Sequence, residues 1–260
     1  MWSESEFALA STRVPRSPPG SWPLAIQIEV VLRLTADAGL NAQCDMIEVA
    51  PDFEVHPGRG RFNATFFLVM DGYINWHVRK HKEEVYADLP DSVVELGSGV
   101  GANLRYLRPG TRLVAVEPNP HMHPALRRNA ERRSIALEIK SVVAEAIDLP
   151  DQSADAVISS LVLCSVSNPS QVVAEVRRIL RPGGRFCYLE HVAAHRGTPT
   201  RAVQRVVRRP WAWAFEGCSC ERDLEMVIRS AGFAHVENHQ YRIHSPFLPF
   251  NTHVSGVAVA

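Results

Sequence analysis

The stretch "VVELGSGVGANLRYL", Val93 to Leu107, constrains the fold more than any other part of the chain. A short apolar run, interrupted by Glu95, meets three glycines at alternate positions, Gly97, Gly99 and Gly101, and a helix-like segment follows. Glycine reaches backbone conformations closed to other residues and lets main chain approach a ligand, so a strand ending this way ends at a binding turn. From there strand and helix alternate. "TRLVAVEP" has the pattern of a second strand, "HPALRRNAERRS" of a helix, "LEIKSVVA" of a third strand and "ADAVISSLVL" of a fourth. "PSQVVAEVRRILRPGG" is a helix with a proline-glycine stop, and "RFCYLEHVAA" a fifth strand. Strands separated by helices build a parallel, doubly wound sheet. A helix "ERDLEMVIRSAGF" then precedes "HVENHQYRI" and "HVSGVAVA", two strands close enough to pair antiparallel. The expected fold class is α/β: a Rossmann-like, doubly wound, seven-stranded sheet, mostly parallel with an antiparallel C-terminal strand.

Ahead of this core, residues 1–22 are rich in Ser, Pro and charge and read as a loose tail. Residues 23–90 form an N-terminal helical extension or cap, and residues 91–260 the ligand-binding domain. Within the cap, "PLAIQIEVVLRLTADAGL" has helical spacing and stops at Gly39, and residues 45–60 form a Pro- and Gly-rich connector. "RFNATFFLVMDGYINWHVRKHKEEVYADL" is mostly helical, with a break expected near Gly72. Lys and Arg balance Asp and Glu at 28 each, so no global field draws the chain to nucleic acid or anionic membrane. The five cysteines (44, 164, 187, 218 and 220) lack framework spacing, which favours a reducing compartment. Cys218-x-Cys220 is the close pair, no second pair completes a zinc site, and no metal is expected. No signal peptide or membrane-length apolar run is present, so a cytoplasmic location is expected.

In an open α/β sheet the ligand lies beyond the carboxyl ends of the strands, which selects residues after Leu96, Val116, Val143, Ser159 and Leu189. Two cofactors fit the glycine turn. From Gly97 it matches G-x-G-x-x-G/A closed by Ala102, a dinucleotide fingerprint. From Glu95 it matches the acidic-x-G-x-G-x-G turn of S-adenosylmethionine sites. Glu117, at the end of strand two, would hold ribose hydroxyls in either case. Glu95 discriminates: a carboxylate before the turn opposes an anionic pyrophosphate and suits a cofactor bearing an ammonium and a sulfonium.

The segments "VELGSGVGANLRYL", "VAVEPNPHM", "VVAEAIDLPDQSADAVISSLVLCSV" and "EVRRILRPGGRFCYLEHV" occur in order. Together they resemble the class I S-adenosylmethionine-dependent methyltransferases of the UbiE-like group, and within it the alkyl-thiol methyltransferase family and its bacterial relatives. The resemblance covers residues 62–260. It implies that Glu95, Gly97, Gly99, Gly101 and Asn103 surround the methionine moiety, that Glu117 binds the ribose, and that Pro118 and Asn119 line the adenosine side. Ala144 and Glu145 would flank the adenine and Leu161 would lie under the cofactor. Val143 stands where many relatives carry an acid, so an adenine amino contact would come from Glu145, backbone or water.

For the acceptor, the Asn/Asp-Pro-Pro-Tyr/Phe turn of many amino-group methyltransferases is replaced by "SSLVLCSV". That leaves a small molecule, and the resemblance points first to a thiol, with O-, N- or C-methylation in secondary metabolism as the alternative. Cys164, Glu190 and His191 are the candidate catalytic residues: Cys164 either meets the methyl donor or simply packs beneath it, and His191 is either a proton acceptor or structural. Tyr73, Asn75, Trp211, Trp213 and Cys218 are candidate pocket residues. Arg201, Arg205, Arg208 and Arg209 before the tryptophans would grip RNA or form the solvated face of a substrate lid, and zero net charge favours the lid. A nicotinamide-dependent oxidoreductase and a non-catalytic cofactor-binding module are the rival classes; no Tyr-x-x-x-Lys pair is present for the former.

Overall fold

The computed structural model describes residues 57–260. The tail, the helix expected over 23–40 and Cys44 lie outside the described residues. The elements in chain order are α1 (Pro57–Val85), β1 (Ser92–Leu96), β2 (Arg112–Val116), α2 (His123–Arg132), β3 (Ala136–Lys140), β4 (Ala154–Ser160), α3 (Pro169–Ile179), β5 (Leu180–His191), α4 (Pro199–Ala214), α5 (Leu224–Ser230), β6 (His235–Arg242) and β7 (Thr252–Val259). They form one seven-stranded sheet in the order β3-β2-β1-β4-β5-β7-β6. Pairing is parallel from β3 through β5, and β7 runs antiparallel to both β5 and β6.

Apolar alternation puts a core on each face of the sheet. Val94, Leu96, Val157, Phe186 and Tyr188 pack with Val172, Val173 and Val176 of α3 and Ile228 of α5. Val93, Leu113, Ala115, Ala156 and Ile158 pack on the opposite face with Leu104, Leu126 and Tyr86. The helices begin where their sequences cap them. Asn168 accepts a hydrogen bond from the Gln171 amide ahead of Pro169, and Thr198 accepts one from the Arg201 amide ahead of Pro199.

Several expectations need correction. The segment after the glycine turn is a five-residue 3-10 turn, Ala102–Tyr106, and no α-helix. Pro109 excludes helical geometry at Arg108 and stops it. The α1 helix runs unbroken through Gly72, because its glycine sits in a helix held by flanking tertiary packing. Strand β3 ends at Lys140, short of Val143, and β5 begins earlier, at Leu180, with a register irregularity opposite Ala154–Ala156. The switch in strand order between β1 and β4 opens the crevice in which the site lies.

Candidate active site

Strand β1 delivers the chain to the glycine turn, where the Gly97 amide donates to the Val116 carbonyl at 2.7 Å and pins the turn to the end of β2. Gly97 and Gly101 are left-handed (φ +54° and +88°), and a Cβ on Gly97 would stand 2.5 Å from Val162 Cγ2. Glu117 folds back over the turn: Oε2 accepts from the Gly99 amide and Oε1 from the Asn119 amide, each at 2.8 Å. Burial nevertheless pushes its carboxyl up to about 7. Glu95, fully buried, lies under α1. Its Oε1 accepts from Asn103 Nδ2 at 2.7 Å, and Asn103 Oδ1 accepts from Lys82 Nζ at 2.6 Å. Burial raises the Glu95 carboxyl and lowers the Lys82 ammonium to about 8, the latter opposed by the nearby Glu95 charge.

A cavity of about 820 Å³ extends from this turn across the ends of β4 and β5. Of the expected cofactor residues, Gly97, Gly99, Asn103, Glu117, Pro118, Ala144, Glu145 and Leu161 line it. Leu161 holds a left-handed backbone (φ +63°) at the end of β4, a strain of about 1–2 kcal/mol for a non-glycine residue. Glu95, Gly101 and Asn119 do not line the cavity. Glu95 acts on it through Asn103, Gly101 closes over Leu104 and Leu126, and Asn119 braces Glu216 Oε1 at 3.0 Å. Glu145 lines the wall, but its Oε1 accepts from the Ser167 amide at 2.7 Å and holds the loop before α3.

Tyr73, Asn75, Trp211 and Cys218 reach the cavity, whereas Trp213 does not and is 68% exposed. Two residues along a helix are about 200° apart around its axis, so Trp211 and Trp213 cannot share a face. Glu190 is also displaced from its expected role. It lies behind the cavity wall, where its Oε1 accepts from Ser159 Oγ at 2.6 Å and from the Val162 amide at 3.2 Å, and so it shapes the loop that carries Cys164.

Cys164, His191 and Cys218 come together, all buried and all on the cavity wall. Cys218 Sγ donates to Cys164 Sγ at 3.5 Å and accepts from Trp211 Nε1 at 3.3 Å. His191 Nε2 lies 2.5 Å from the Pro249 carbonyl oxygen, which can only accept. Nε2 therefore carries the proton, and Nδ1 turns its lone pair toward Cys218 Sγ, 3.7 Å away. The hydrogen bond shared with Cys164 holds the Cys218 thiol below the ordinary thiol range against the burial that would raise it, helped by His191 and by the Trp211 donor, while Cys164 is raised.

Lys82 and Glu216 line the same cavity and were not among the candidates read from the sequence. For Lys82 a signal existed: Met70, Ile74, Val78, Lys82 and Tyr86 follow at four-residue intervals, so the lysine continues the buried stripe of α1. Glu216 had none, because its place depends on where the end of α4 lands.

The cavity fits S-adenosylmethionine. Buried Glu95 Oε2 and Ser98 Oγ lack hydrogen-bond partners among the described residues, and the Glu117 and Glu216 carboxyls line the cavity, which suits a ligand bearing hydroxyls and a positive charge. Residues 94–188 match a family described as a methyltransferase domain. The human thiol S-methyltransferase TMT1B is 37% identical over 65% of this chain and 70% of its own length, and human TMT1A is 33% identical over 75% and 84%. A methyltransferase solved with the Haloferax volcanii Trm112 activator shares the fold at a TM-score of 0.58 and 22% identity, covering 77% of this chain and 97% of that one. The chain belongs to the class I S-adenosylmethionine-dependent methyltransferases, in the family of the thiol S-methyltransferases.

Proposed function

We propose that this enzyme methylates the sulfur of a small-molecule thiol. One observation supports the acceptor most directly: the cavity that begins at the glycine turn ends on the Cys164, His191 and Cys218 cluster with Trp211, Phe215 and Phe250 around it. An apolar pocket with few polar groups suits a small organic molecule. The relatives named thiol S-methyltransferases support a sulfur acceptor.

S-adenosylmethionine supplies an electrophilic methyl group when bound. On this reading Glu117 receives the ribose hydroxyls on the lone pairs left free by the Gly99 and Asn119 amides. The Gly97 and Gly99 backbone, Asn103 and the Glu95 carboxylate behind it accommodate the amino-acid end, with the Lys82 ammonium opposite its carboxylate. Leu161 and Ala144 provide apolar walls. The aromatic side chains exclude water and hold the acceptor in line, which for a displacement of this kind supplies much of the rate. A thiol needs little further activation, since a few per cent is already thiolate at neutral pH. Arg201 and Arg208 pair with Glu221 at 3.3 and 3.6 Å, which favours a lid over a nucleic-acid grip for this helix. No helix among the described residues is long and apolar enough to cross a membrane.

The test supplies purified enzyme with methyl-labelled S-adenosylmethionine and a panel of alkyl and aryl thiols beside matched alcohols and amines. S-methyl product is expected from thiols alone. Turnover restricted to alcohols or amines overturns the acceptor, and binding of NADH in place of S-adenosylmethionine overturns the cofactor assignments.

A further inference from the structure

We propose that Cys164, His191 and Cys218 form a binding site for a soft divalent ion, zinc(II), with an open fourth position that takes the acceptor thiol. The role of that open position rests on the thiol-acceptor reading above; the metal site itself does not. The spacing of these residues in the sequence gives no hint of it, since they lie on three separate loops or strand ends. In the fold their donor atoms all lie within 4.8 Å of one another. Tetrahedral zinc, with bonds of about 2.3 Å to sulfur and about 2.0–2.1 Å to nitrogen, separates two sulfurs by about 3.8 Å and a sulfur from a nitrogen by about 3.5 Å. The observed Cys164–Cys218 separation is 3.5 Å and that from Cys218 to His191 Nδ1 is 3.7 Å. Two edges of a tetrahedral face thus stand near their zinc-bound lengths before any ion arrives, and the third lies within 4.8 Å.

The surroundings are those of a ligand set and not of three chance neighbours. His191 presents Nδ1 because the Pro249 carbonyl takes the Nε2 proton, the usual device that fixes the tautomer of a ligating histidine. Gln204 Nε2 donates to the same carbonyl at 3.0 Å and holds it. Trp211 Nε1 donates to Cys218 sulfur, as backbone and indole donors do around bound thiolates. The two cysteine loops are locked together: the Ser219 amide donates to the Cys164 carbonyl at 2.7 Å, and a Cβ on Gly217 would stand 3.0 Å from the Ser165 carbonyl oxygen. Two thiolates and one imidazole leave a divalent ion neutral and one position short of four, and all three ligands face the cavity. That is the arrangement of a catalytic site, not of a closed structural one.

On binding, the two cysteine thiols release two protons to solvent. An acceptor thiol entering the fourth position releases one more and stays as a thiolate. Its sulfur would attack the methyl carbon of S-adenosylmethionine, forming the new C–S bond as the methyl–sulfonium bond breaks and its electron pair passes to neutral S-adenosylhomocysteine. The product, an uncharged thioether and a poor ligand for this ion, would then depart.

The test titrates cobalt(II) into the full-length, chelator-treated enzyme without S-adenosylmethionine and follows the thiolate-to-cobalt charge-transfer band and the visible bands of tetrahedral cobalt. About one ion per chain is expected, with affinity falling by about 100-fold or more in C164S and C218S and unchanged in C220S. Addition of mercaptoethanol should shift the visible bands. Circular dichroism melts report whether each variant folds, and the wild-type titration decides the matter if they do not. Absence of saturable binding to the folded wild type overturns the site, as does a band that survives C164S and C218S. A cobalt spectrum indifferent to mercaptoethanol overturns the open position. Full thiol methylation by metal-free enzyme removes the ion from catalysis and leaves the thiol acceptor standing. A loaded enzyme that binds mercaptoethanol but yields no S-methyl product supports the site and refutes the acceptor.

Discussion

At the scale of single residues, the site is built from groups whose environments oppose their ordinary chemistry. Burial raises the carboxyls of Glu117 and Glu216 to about 7. The folded chain therefore holds protons that the unfolded chain has already released. Their contribution to stability is complete below the ordinary carboxylate range and is lost as pH rises through about 7. Ribose hydroxyls donate to the ionised carboxylate, so the proposed ligand favours the opposite state. Affinity for S-adenosylmethionine should climb by up to about tenfold per pH unit below 7 and level off above it. In Glu117→Gln it should be weaker by about 10- to 100-fold, since a hydrogen bond to a charged group is worth about 1.5–3 kcal/mol. Its pH dependence should be shallower, with the remaining slope carried by Glu216 on the same wall. Calorimetric titrations at about pH 6, 7 and 8 check both; a wild-type-like pH profile in the variant would remove Glu117 from the ribose. Gly97 makes a separate case. Its left-handed φ and the 2.5 Å approach to Val162 mean that Gly97→Ala should cost about 2–4 kcal/mol in a melt and abolish cofactor binding, with partial recovery of stability in Gly97→Ala, Val162→Ala.

At the scale of elements, helix α3 shows how little of the site is independent of ordinary helix chemistry. The Asn168 side chain caps it, and the adjacent loop amides donate to Glu145 on the cavity wall. Asn168→Ala should lower stability by about 1 kcal/mol, read from chemical denaturation, and should loosen the adenine side of the pocket without touching the acceptor side. Helix α4 carries Trp211 inward and Trp213 outward. Trp211→Phe keeps the aromatic bulk and removes the donor to Cys218. It should raise the KM for the acceptor several-fold while leaving cofactor affinity in place, whereas Trp213→Ala should change neither; equal effects at the two positions would contradict the orientation of this helix.

At the scale of the whole molecule, the antiparallel strand β7 joins the sheet to the site. It pairs His253 with His191, and the turn before it supplies the Pro249 carbonyl that fixes the imidazole. Gly256 lies in this strand where a Cβ would collide with the Glu237 carbonyl oxygen of β6. Gly256→Ala should cost about 3 kcal/mol or more in a thermal melt, and its failure to destabilise would mean that β6 yields easily. The alternation of apolar strands and amphipathic helices, together with the three glycines after Glu95, was enough to determine the doubly wound sheet, its glycine turn and the place of Glu117, because these depend on local periodicity and on backbone freedom at fixed positions. Lys82 was legible in principle from the four-residue stripe of α1, but a run of charged neighbours concealed it. Tertiary structure alone decided that Glu190 braces a loop, that Trp213 faces away, and that Cys164, His191 and Cys218 meet. Those outcomes depend on how far separate chain ends travel before they pack, and no local spacing in a sequence records that distance.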